Sequence, residues 1–202
     1  MARPVWEVQG NVQPHETTVV QRYFPLWAWY VWTYAERVVT ASQTLLLQRR
    51  VTLTIQSRHA NENEYVAHWD FQSGRTPLPN VRYRLVEDGV QQAQLTEDTS
   101  YTSFAYLLKA PLVVGTMWRT VYGYPVHIAA LGLSCTVPAG TFGACVETWQ
   151  EAEPTPESRM LTQHRFAPDV GLVWQQRQLF QQETLARIDT MELQRLPEPT
   201  QL

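Results

Sequence analysis

The side chains best suited to chemistry in this sequence of 202 residues are five histidines and two cysteines. The histidines are scattered and fit no metalloprotease or zinc-ligand spacing. His68 and Asp70 should share one face of an extended segment and so resemble an oriented base, but a structural hydrogen bond explains the pair better. The five histidines are His15, His59, His68, His127 and His164.

Other signatures of catalysis are missing from the sequence. There is no G-x-S-x-G turn to expose a serine nucleophile, and no glycine-rich loop to cradle a phosphate. The paired carboxylates Glu62 and Glu64 fall in a polar chain reversal, where they indicate solvation. The sequence therefore predicts a protein that is not an enzyme and that carries no cofactor and no metal ion.

The two cysteines, Cys135 and Cys145, flank the turn sequence TVPAGTF symmetrically about Gly140. Pro138 fixes its own φ and Gly140 accepts a positive φ, so the flanking strands should pair. We expect the cysteines to lie directly opposite each other, close enough for a disulfide bond. An exported chain favours that bond, whereas a cytoplasmic chain favours two buried thiols. Without nearby histidines the pair supplies only half of a zinc shell.

Composition argues against two classes of function. Charged residues make up 17% of the chain, the formal net charge is −3, and the basic residues are spread without a run. A nucleic-acid reader would present a basic patch with interleaved aromatic residues, so we expect no nucleic-acid partner. The longest apolar stretch, YFPLWAWYVWTYA, is shorter than the roughly 18 to 20 residues that span a bilayer. The sequence predicts no transmembrane segment.

The elements that must position these residues are strands, because period-2 alternation far outnumbers helical periodicity. Val51, Leu53 and Ile55 alternate with polar residues, as in a strand with one face on a core. The run from Tyr65 to Phe71 repeats this pattern after a polar reversal and predicts a hairpin, and Asp88-Gly89 predicts another. Further strands are predicted at Trp118–Tyr122, Val126–Val137, Phe142–Trp149, Met160–Phe166 and Gly171–Gln176.

Two later stretches are less regular. EAEPTPES, from Glu151 to Ser158, contains two prolines and predicts a plain loop. The run QLFQQETLARIDTMELQRL fits either an amphipathic helix or a strand, and we favour the strand. Taken together, the patterns predict one all-β domain over residues 19–195, an N-terminal arm over 1–18 and a C-terminal tail over 196–202. The domain is expected to be an antiparallel β barrel or half-barrel, lipocalin-like or sandwich-like, with a short C-terminal helix as the alternative for the final run.

Two octapeptides share an apolar corner: PLWAWYVW from Pro25 to Trp32, and PLVVGTMW from Pro111 to Trp118. Corners between strands usually lie at the surface, and monomers rarely leave a large apolar patch exposed there. We expect both corners at the same end of the barrel, where they form one docking surface for a partner. The predicted members of this docking surface are Trp27, Trp29, Tyr30, Val113, Val114 and Met117.

The order of several motifs resembles that of a widespread, poorly characterised family of bacterial extracytoplasmic proteins, many of which are predicted lipoproteins. The motifs are YFPL with W-x-Y, YRLVEDGV, LLKAPLVVGTMW, TVPAGTF and FAPDVGLV. The resemblance covers roughly Tyr23 to Leu193 and implies an antiparallel β barrel or half-barrel that is exported from the cytoplasm. It implies no catalytic residues.

This sequence departs from the family pattern in two respects. Both corners are apolar where the family has a polar turn before the Trp. The start of the chain, MARPVWEVQGNVQPHE, lacks the charged, apolar and small-residue regions of a secretory signal. The resemblance therefore implies an extracytoplasmic or periplasmic protein peripheral to a membrane, whereas a chain without a removed signal would be cytoplasmic.

Two functions compete on these observations. In the first, an accessory protein presents the docking surface to a larger protein complex or, as a variant, to a membrane face, where Trp and Tyr suit the headgroup layer. In the second, a lipocalin-like carrier holds an apolar small molecule or lipid in a barrel lined by Trp and Tyr. We favour docking. Packing in the core is enough to explain any single Trp, but it does not explain an apolar corner that occurs twice where the chain should lie at the surface.

Overall fold

Segments of alternating polarity pair along the chain, and the computed structural model joins them into one antiparallel sheet of twelve strands. The structure describes residues 19–27, 30–40, 43–58, 64–71, 81–94 and 103–199. The strands are β1 (Tyr30–Thr40), β2 (Gln43–Arg58), β3 (Glu64–Phe71), β4 (Val81–Val86), β5 (Gly89–Gln94), β6 (Ala105–Lys109), β7 (Met117–Arg119), β8 (Pro125–Val137), β9 (Gly140–Thr155), β10 (Ser158–Ala167), β11 (Gly171–Gln181) and β12 (Thr184–Pro199).

The sheet consists of two meanders joined at the first and last strands. Its order is β6-β5-β4-β3-β2-β1-β12-β11-β10-β9-β8-β7. β1 pairs with β12 from Tyr30 opposite Pro199 to Thr40 opposite Arg187. β6 and β7 end the order and contact each other, so the sheet curves into a nearly closed barrel. The prediction of an all-β antiparallel barrel is confirmed.

The C-terminal run is strand β12, as we favoured, and the alternative of a C-terminal helix is wrong. Both edges of β12 are hydrogen-bonded, one to β1 and the other to β11, and only an extended segment can satisfy two neighbours in this way. The strand continues to Pro199, so residues 196–199 belong to the sheet.

The stretch EAEPTPES is also strand, contrary to the predicted loop. β9 reaches Thr155 and β10 starts at Ser158, so only Pro156 and Glu157 form the turn. Pro154 lies where the register slips between the two strands, and a proline there removes no ladder hydrogen bond. Conversely, β7 is shorter than predicted, because Gly123 turns the chain back with its N–H on the carbonyl of Thr120.

The segment Val19–Trp27 closes one end of the barrel, which we call the closed end. Its only regular element is the 3-10 turn Gln21–Tyr23, and no described residue lies in a helix that could cross a bilayer. Phe24 is buried, with its ring centroid 5.0 Å from that of Tyr83 and 6.2 Å from that of Phe166. The segment Val19–Trp27, which we call the plug, therefore contacts strands from both meanders.

Hydrogen bonds hold this plug against the barrel wall. Tyr23 donates its hydroxyl to the carbonyl of Ala144 at 2.9 Å, and Arg22 Nε donates to Asp169 Oδ1 at 2.9 Å. The Arg22 guanidinium lowers the pKa of the Asp169 carboxyl, mainly through this hydrogen bond. Beneath the plug, the fully buried Tyr34 donates its hydroxyl to the carbonyl of Leu172 at 3.0 Å, and burial raises the pKa of that phenol well above its usual value.

Truncating the plug should destabilise the whole barrel. Replacing Phe24 with Ala removes a buried ring that touches both meanders, and we expect a loss of about 3 to 5 kcal/mol in the free energy of unfolding. Val19 is exposed in the same segment, so Val19→Ala should change stability by less than about 0.5 kcal/mol. Urea denaturation followed by tryptophan fluorescence measures both. Equal, small effects of the two substitutions would show that the segment is not part of the core.

Candidate functional site

The opposite end of the barrel, which we call the open end, contains a cavity of about 370 Å³. It is formed by the ends of β5, β9 and β11, the starts of β6, β8 and β10, and the β7–β8 turn. The side chains assigned to the wall are mixed in polarity. They belong to Gln92, Gln94, Tyr106, Leu107, Trp118, Thr120, Tyr122, Tyr124, Val126, Thr148, Gln150, Met160, Thr162, His164, Gln175 and Arg177.

Strand register explains why these residues share the wall. Direct partners on antiparallel strands point to the same face of the sheet. Trp118 pairs with Val126, Val126 with Gln150, Gln150 with Thr162, and Thr162 with Arg177, which makes one ring across five strands. The next ring toward the closed end contains Thr148, His164 and Gln175. Polar residues therefore occupy interior positions at the open end.

Trp118 is the least expected member of the wall. The residue is only 7% exposed, and its indole Nε1–H has no hydrogen-bond acceptor among the described residues. A buried donor left without an acceptor costs roughly 1 to 3 kcal/mol. Because this nitrogen is itself buried, the unsatisfied donor lies within the cavity wall.

His164 lies at the inner limit of the cavity, stacked on Phe166 with a centroid distance of 5.9 Å. Burial, and then the positive charge of Arg177 on the next strand, lower the pKa of this imidazole to about 4. His164 is therefore neutral at physiological pH, and its ring offers one donor and one acceptor. Its cross-strand neighbours Thr148 and Gln175 are uncharged.

The two meanders meet at a seam beside this cavity. Tyr122, in the β7–β8 turn, donates its hydroxyl to Gln94 Oε1 at the end of β5, at 3.3 Å. Tyr122 is exposed, and its ring lies 6.5 Å from that of Tyr124, so two tyrosines flank the mouth. Among the described residues β6 and β7 form no backbone ladder with each other, so side chains close the wall at this seam.

A second cavity of about 420 Å³ lies at the closed end, beside the plug. Phe24, Pro25 and Leu26 form its apolar part, and the ion pair between Arg22 and Asp169 forms its polar rim. These two charges already satisfy each other. The open-end cavity is the better candidate site, because its wall consists of paired strands and holds a buried donor without an acceptor.

The residues of the predicted docking surface differ in their exposure. Trp27 is 40% exposed, but its ring lies 5.2 Å from that of Tyr30, which packs against the core. Val113, Val114 and Met117 are 55%, 59% and 63% exposed. Trp29 lies outside the described residues. The second corner is therefore open to solvent, whereas the described part of the first corner is partly tied to the barrel.

Both corners lie at the closed end. β1 and β7 run in the same direction, because an even number of antiparallel steps separates them in the sheet. Each corner also lies next to a residue that contacts the β4–β5 hairpin. Gln21 donates its side-chain amide to the carbonyl of Val86 at 3.2 Å, and Ala110 donates its N–H to the carbonyl of Asp88 at 2.7 Å. The two corners thus emerge on the same side of the molecule.

A further exposed aromatic residue adjoins the second corner and was missed by the sequence analysis. Met117 pairs with His127, and His127 pairs with Trp149, so the three form a row on the outer face. Trp149 is 40% exposed and donates its Nε1–H to Glu147 Oε1 at 2.8 Å. Only the strand pairing places this residue beside Met117, so no local sequence signal could identify it.

The cysteines are neighbours but not direct cross-strand partners, which corrects the predicted pairing. Cys135 pairs with Phe142 and Cys145 with Leu133, because the strand bulges around Ala144, whose φ is 56°. Both thiols are free and buried. Burial, with a further contribution from the adjacent Cys135, raises the pKa of the Cys145 thiol to about 12. A disulfide under oxidising conditions stays a prediction.

Metal-ligating residues do not gather in the described part of the chain, where no three His, Cys, Asp or Glu side chains come together. His68 and Asp70 both lie on β3, with His68 half-buried and Asp70 exposed. His15 and His59 lie outside the described residues, and His127 faces outward beside Trp149.

Comparison with solved structures identifies the architecture. A structure from Bacteroides fragilis, classed provisionally as an exported protein with a YmcC-like fold, matches 86% of this chain and 97% of its own with a TM-score of 0.51. The fold is YmcC-like. Sequence identity is 14%, so the YmcC-like match shows the fold alone. A protein from Parabacteroides distasonis, classed provisionally as a lipoprotein, has the same identity and coverage and a TM-score of 0.49.

No protein-family model and no curated protein matches the chain. The YmcC-like match agrees with the resemblance to bacterial extracytoplasmic proteins at the level of fold. It does not test the ordered sequence motifs on which that resemblance rests.

The lowered pKa of His164 predicts a pH-dependent stability. In the unfolded chain this imidazole binds a proton below about pH 6.5, whereas in the folded barrel it stays neutral down to about pH 4. Stability should therefore fall as the pH drops between these values, by about 2 kcal/mol from pH 7 to pH 5 through this residue. In His164→Gln this part of the decrease should vanish. Urea denaturation at both pH values tests it, and identical pH dependence in wild type and variant would contradict it.

Proposed function

We propose that the protein is a non-catalytic binding protein that holds a small organic molecule in the open end of its barrel. The observation that carries this proposal is the cavity of about 370 Å³ whose wall combines apolar and polar side chains from both meanders. Small-molecule sites are typically clefts of roughly 300 to 1,000 Å³ with a few well-placed polar groups. The mouths of β barrels are among the places where such sites occur.

The polarity of the wall supports binding over simple packing. At the closed end the interior is filled by Phe24, Tyr34 and Phe166, which are all buried. At the open end the equivalent interior positions carry Gln150, Gln175 and other polar residues around open space. Polar groups at interior positions weaken a core unless they are hydrogen-bonded. A guest that accepts and donates hydrogen bonds would make these positions favourable.

The same wall gives little support to catalysis. Among the described residues that line it there is no Asp, Glu, Cys, Ser or Lys. His164 is the one base in this set, and no carboxylate in the set orients it. A general base needs a positioned partner and a nucleophile or substrate proton within reach. Binding without chemistry is the simpler function for this arrangement.

Two matched probes and two matched variants test the proposal. Anilinonaphthalenesulfonate and N-phenylnaphthylamine share one aromatic body, and only the first carries a sulfonate. At least one should bind the folded protein at one site, with fluorescence enhancement and a measurable heat. Gln175→Trp fills the cavity from the inner face of β11 and should abolish that binding. Gln176→Trp adds the same side chain on the outer face and should leave it intact.

Circular dichroism and an unchanged unfolding midpoint must first show that both variants are folded. If neither probe binds the wild-type protein, or if both variants bind as the wild type does, the cavity is not a ligand site and the proposal fails.

Docking through the second corner is a second candidate function, because a specific observation favours it. Val113, Val114 and Met117 are mostly exposed, and Trp149 extends the same outer surface. Contiguous apolar side chains of this kind are the usual anchors of protein interfaces. The partner proposed is a protein complex, with a membrane face as the variant.

Charged substitutions at exposed positions distinguish a docking role of these side chains from a packing role. Val114→Asp combined with Met117→Asp should leave stability within about 1 kcal/mol of wild type, because both side chains face solvent. In gel filtration of source-cell extract, the wild-type protein should elute within a larger assembly and the double variant as a free chain. Co-elution of the double variant with that assembly would argue against docking at this surface.

A further inference from the structure

The residues that line the open-end cavity also indicate which class of ligand, here called the guest, would fit it. We infer that the cavity takes an amphipathic organic acid, whose anionic group binds Arg177 and whose apolar body lies against Trp118, Val126 and Met160. The inference rests on the proposed binding function and narrows it to one class of ligand. Three independent features of the wall support it.

The first feature is the charge of the wall. Arg177 is the one cation among the described lining residues, and that set contains no carboxylate. Asp189 is the direct cross-strand partner of Arg177, but its Oδ1 accepts a hydrogen bond from Arg187 Nε at 2.6 Å. Arg187 and Asp189 thus bind each other, and the exposed Arg177 has no carboxylate partner among the residues that line the cavity. A guanidinium is well suited to bind a carboxylate, sulfonate or phosphate through paired hydrogen bonds.

The second feature is the excess of donors. The Trp118 Nε1–H is buried without an acceptor among the described residues, and an indole can only donate. Arg177 likewise donates and cannot accept. Trp118 and Arg177 lie on the same ring of paired residues, with three strands between them. A guest with an anionic acceptor group satisfies Arg177, whereas a hydrocarbon does not.

The third feature is the apolar surface between these donors. Val126 lies beside Trp118 on the same ring, and Met160 and Leu107 also line the cavity. Thioether and aliphatic side chains adapt to an aromatic or aliphatic body without fixing its shape. A simple inorganic anion would leave this surface uncovered, so an acid with an apolar body fits better.

The two probes already described distinguish this inference from the binding function itself. N-phenylnaphthylamine is the more apolar of the pair, so an apolar pocket would bind it more tightly. We expect the opposite order, with anilinonaphthalenesulfonate bound at least tenfold more tightly in isothermal titration calorimetry. A cavity that binds the neutral probe equally well or better would overturn the inference and leave the binding function standing.

Removal of the cation should abolish this preference. Arg177→Gln should weaken binding of the sulfonate probe by roughly tenfold to a hundredfold, as expected for hydrogen bonds to a charged group, and should leave the neutral probe unaffected. Arg165→Gln removes the same charge on the outer face, where Arg165 Nε binds Glu147 at 2.7 Å, and should change neither affinity. Equal losses of sulfonate affinity in the two variants would indicate general electrostatic attraction and contradict a role for Arg177.

The role of Trp118 has a distinct signature. Trp118→Phe removes part of the buried indole surface on which the apolar body of the guest would lie. Both probes share that aromatic body, so both should bind several-fold more weakly, and the preference for the sulfonate should remain. If affinity for both probes is unchanged, Trp118 has only a structural role and does not contact the guest.

Discussion

The pairing of β1 with β12 holds the whole structure together, because it is the only backbone ladder between the two meanders in the described residues. Each meander alone is a sheet of six antiparallel strands with two edges. Joining the first and last strands turns the inner faces of the two meanders toward each other. The remaining edges, β6 and β7, then come into contact and need only side chains to seal them.

The pairing of β1 with β12 also explains why one end of the barrel is filled and the other end holds a cavity. The plug at Val19–Trp27 precedes β1 directly, so it reaches over the interior at the point where the meanders join. Its rings and those of Tyr34 and Phe166 exclude water there. At the open end the lining aromatic residues, Tyr106, Trp118, Tyr122 and Tyr124, leave a cavity that Gln, Thr and Arg side chains also surround. On the proposed function, stability and binding belong to opposite ends of one barrel.

The open end departs from apolar packing at particular atoms. The unpaired Trp118 Nε1–H and the neutral, half-buried His164 both make the barrel less stable than an apolar packing would be. Sites that bind ligands commonly depart from the rules that favour stability. These two residues and Arg177 all line the open-end cavity.

Much of the fold could be predicted from sequence, because alternation along β2, β3, β8 and β11 is a local property. The C-terminal run was ambiguous for the same reason: its spacing fits two periodicities, and only pairing with both β1 and β11 decides between them. The bulge at Ala144 that separates Cys135 from Cys145 depends on a single left-handed residue without a sequence signal.

The candidate site was harder to predict than the fold. In strands of alternating polarity the polar residues normally face water. The cavity wall contains four such residues, Gln150, Thr162, Gln175 and Arg177. They face the interior here because strand register places Gln150, Thr162 and Arg177 on the ring of Trp118 and Gln175 on the next ring. Register between distant strands cannot be derived from local patterns. In the sequence Trp118 ends a repeated octapeptide and begins a predicted strand, and neither pattern places it in a cavity wall. The exposure of Val113 and Met117 follows from the octapeptide, whereas Trp149 beside them does not.

The most direct test of binding at the open end is a crystal structure of the protein with anilinonaphthalenesulfonate. The probe should lie inside the open end of the barrel, with its sulfonate within hydrogen-bond distance of Arg177 and its rings against Trp118. A probe located on the outer surface or beside the plug, with the open-end cavity unchanged, would contradict it.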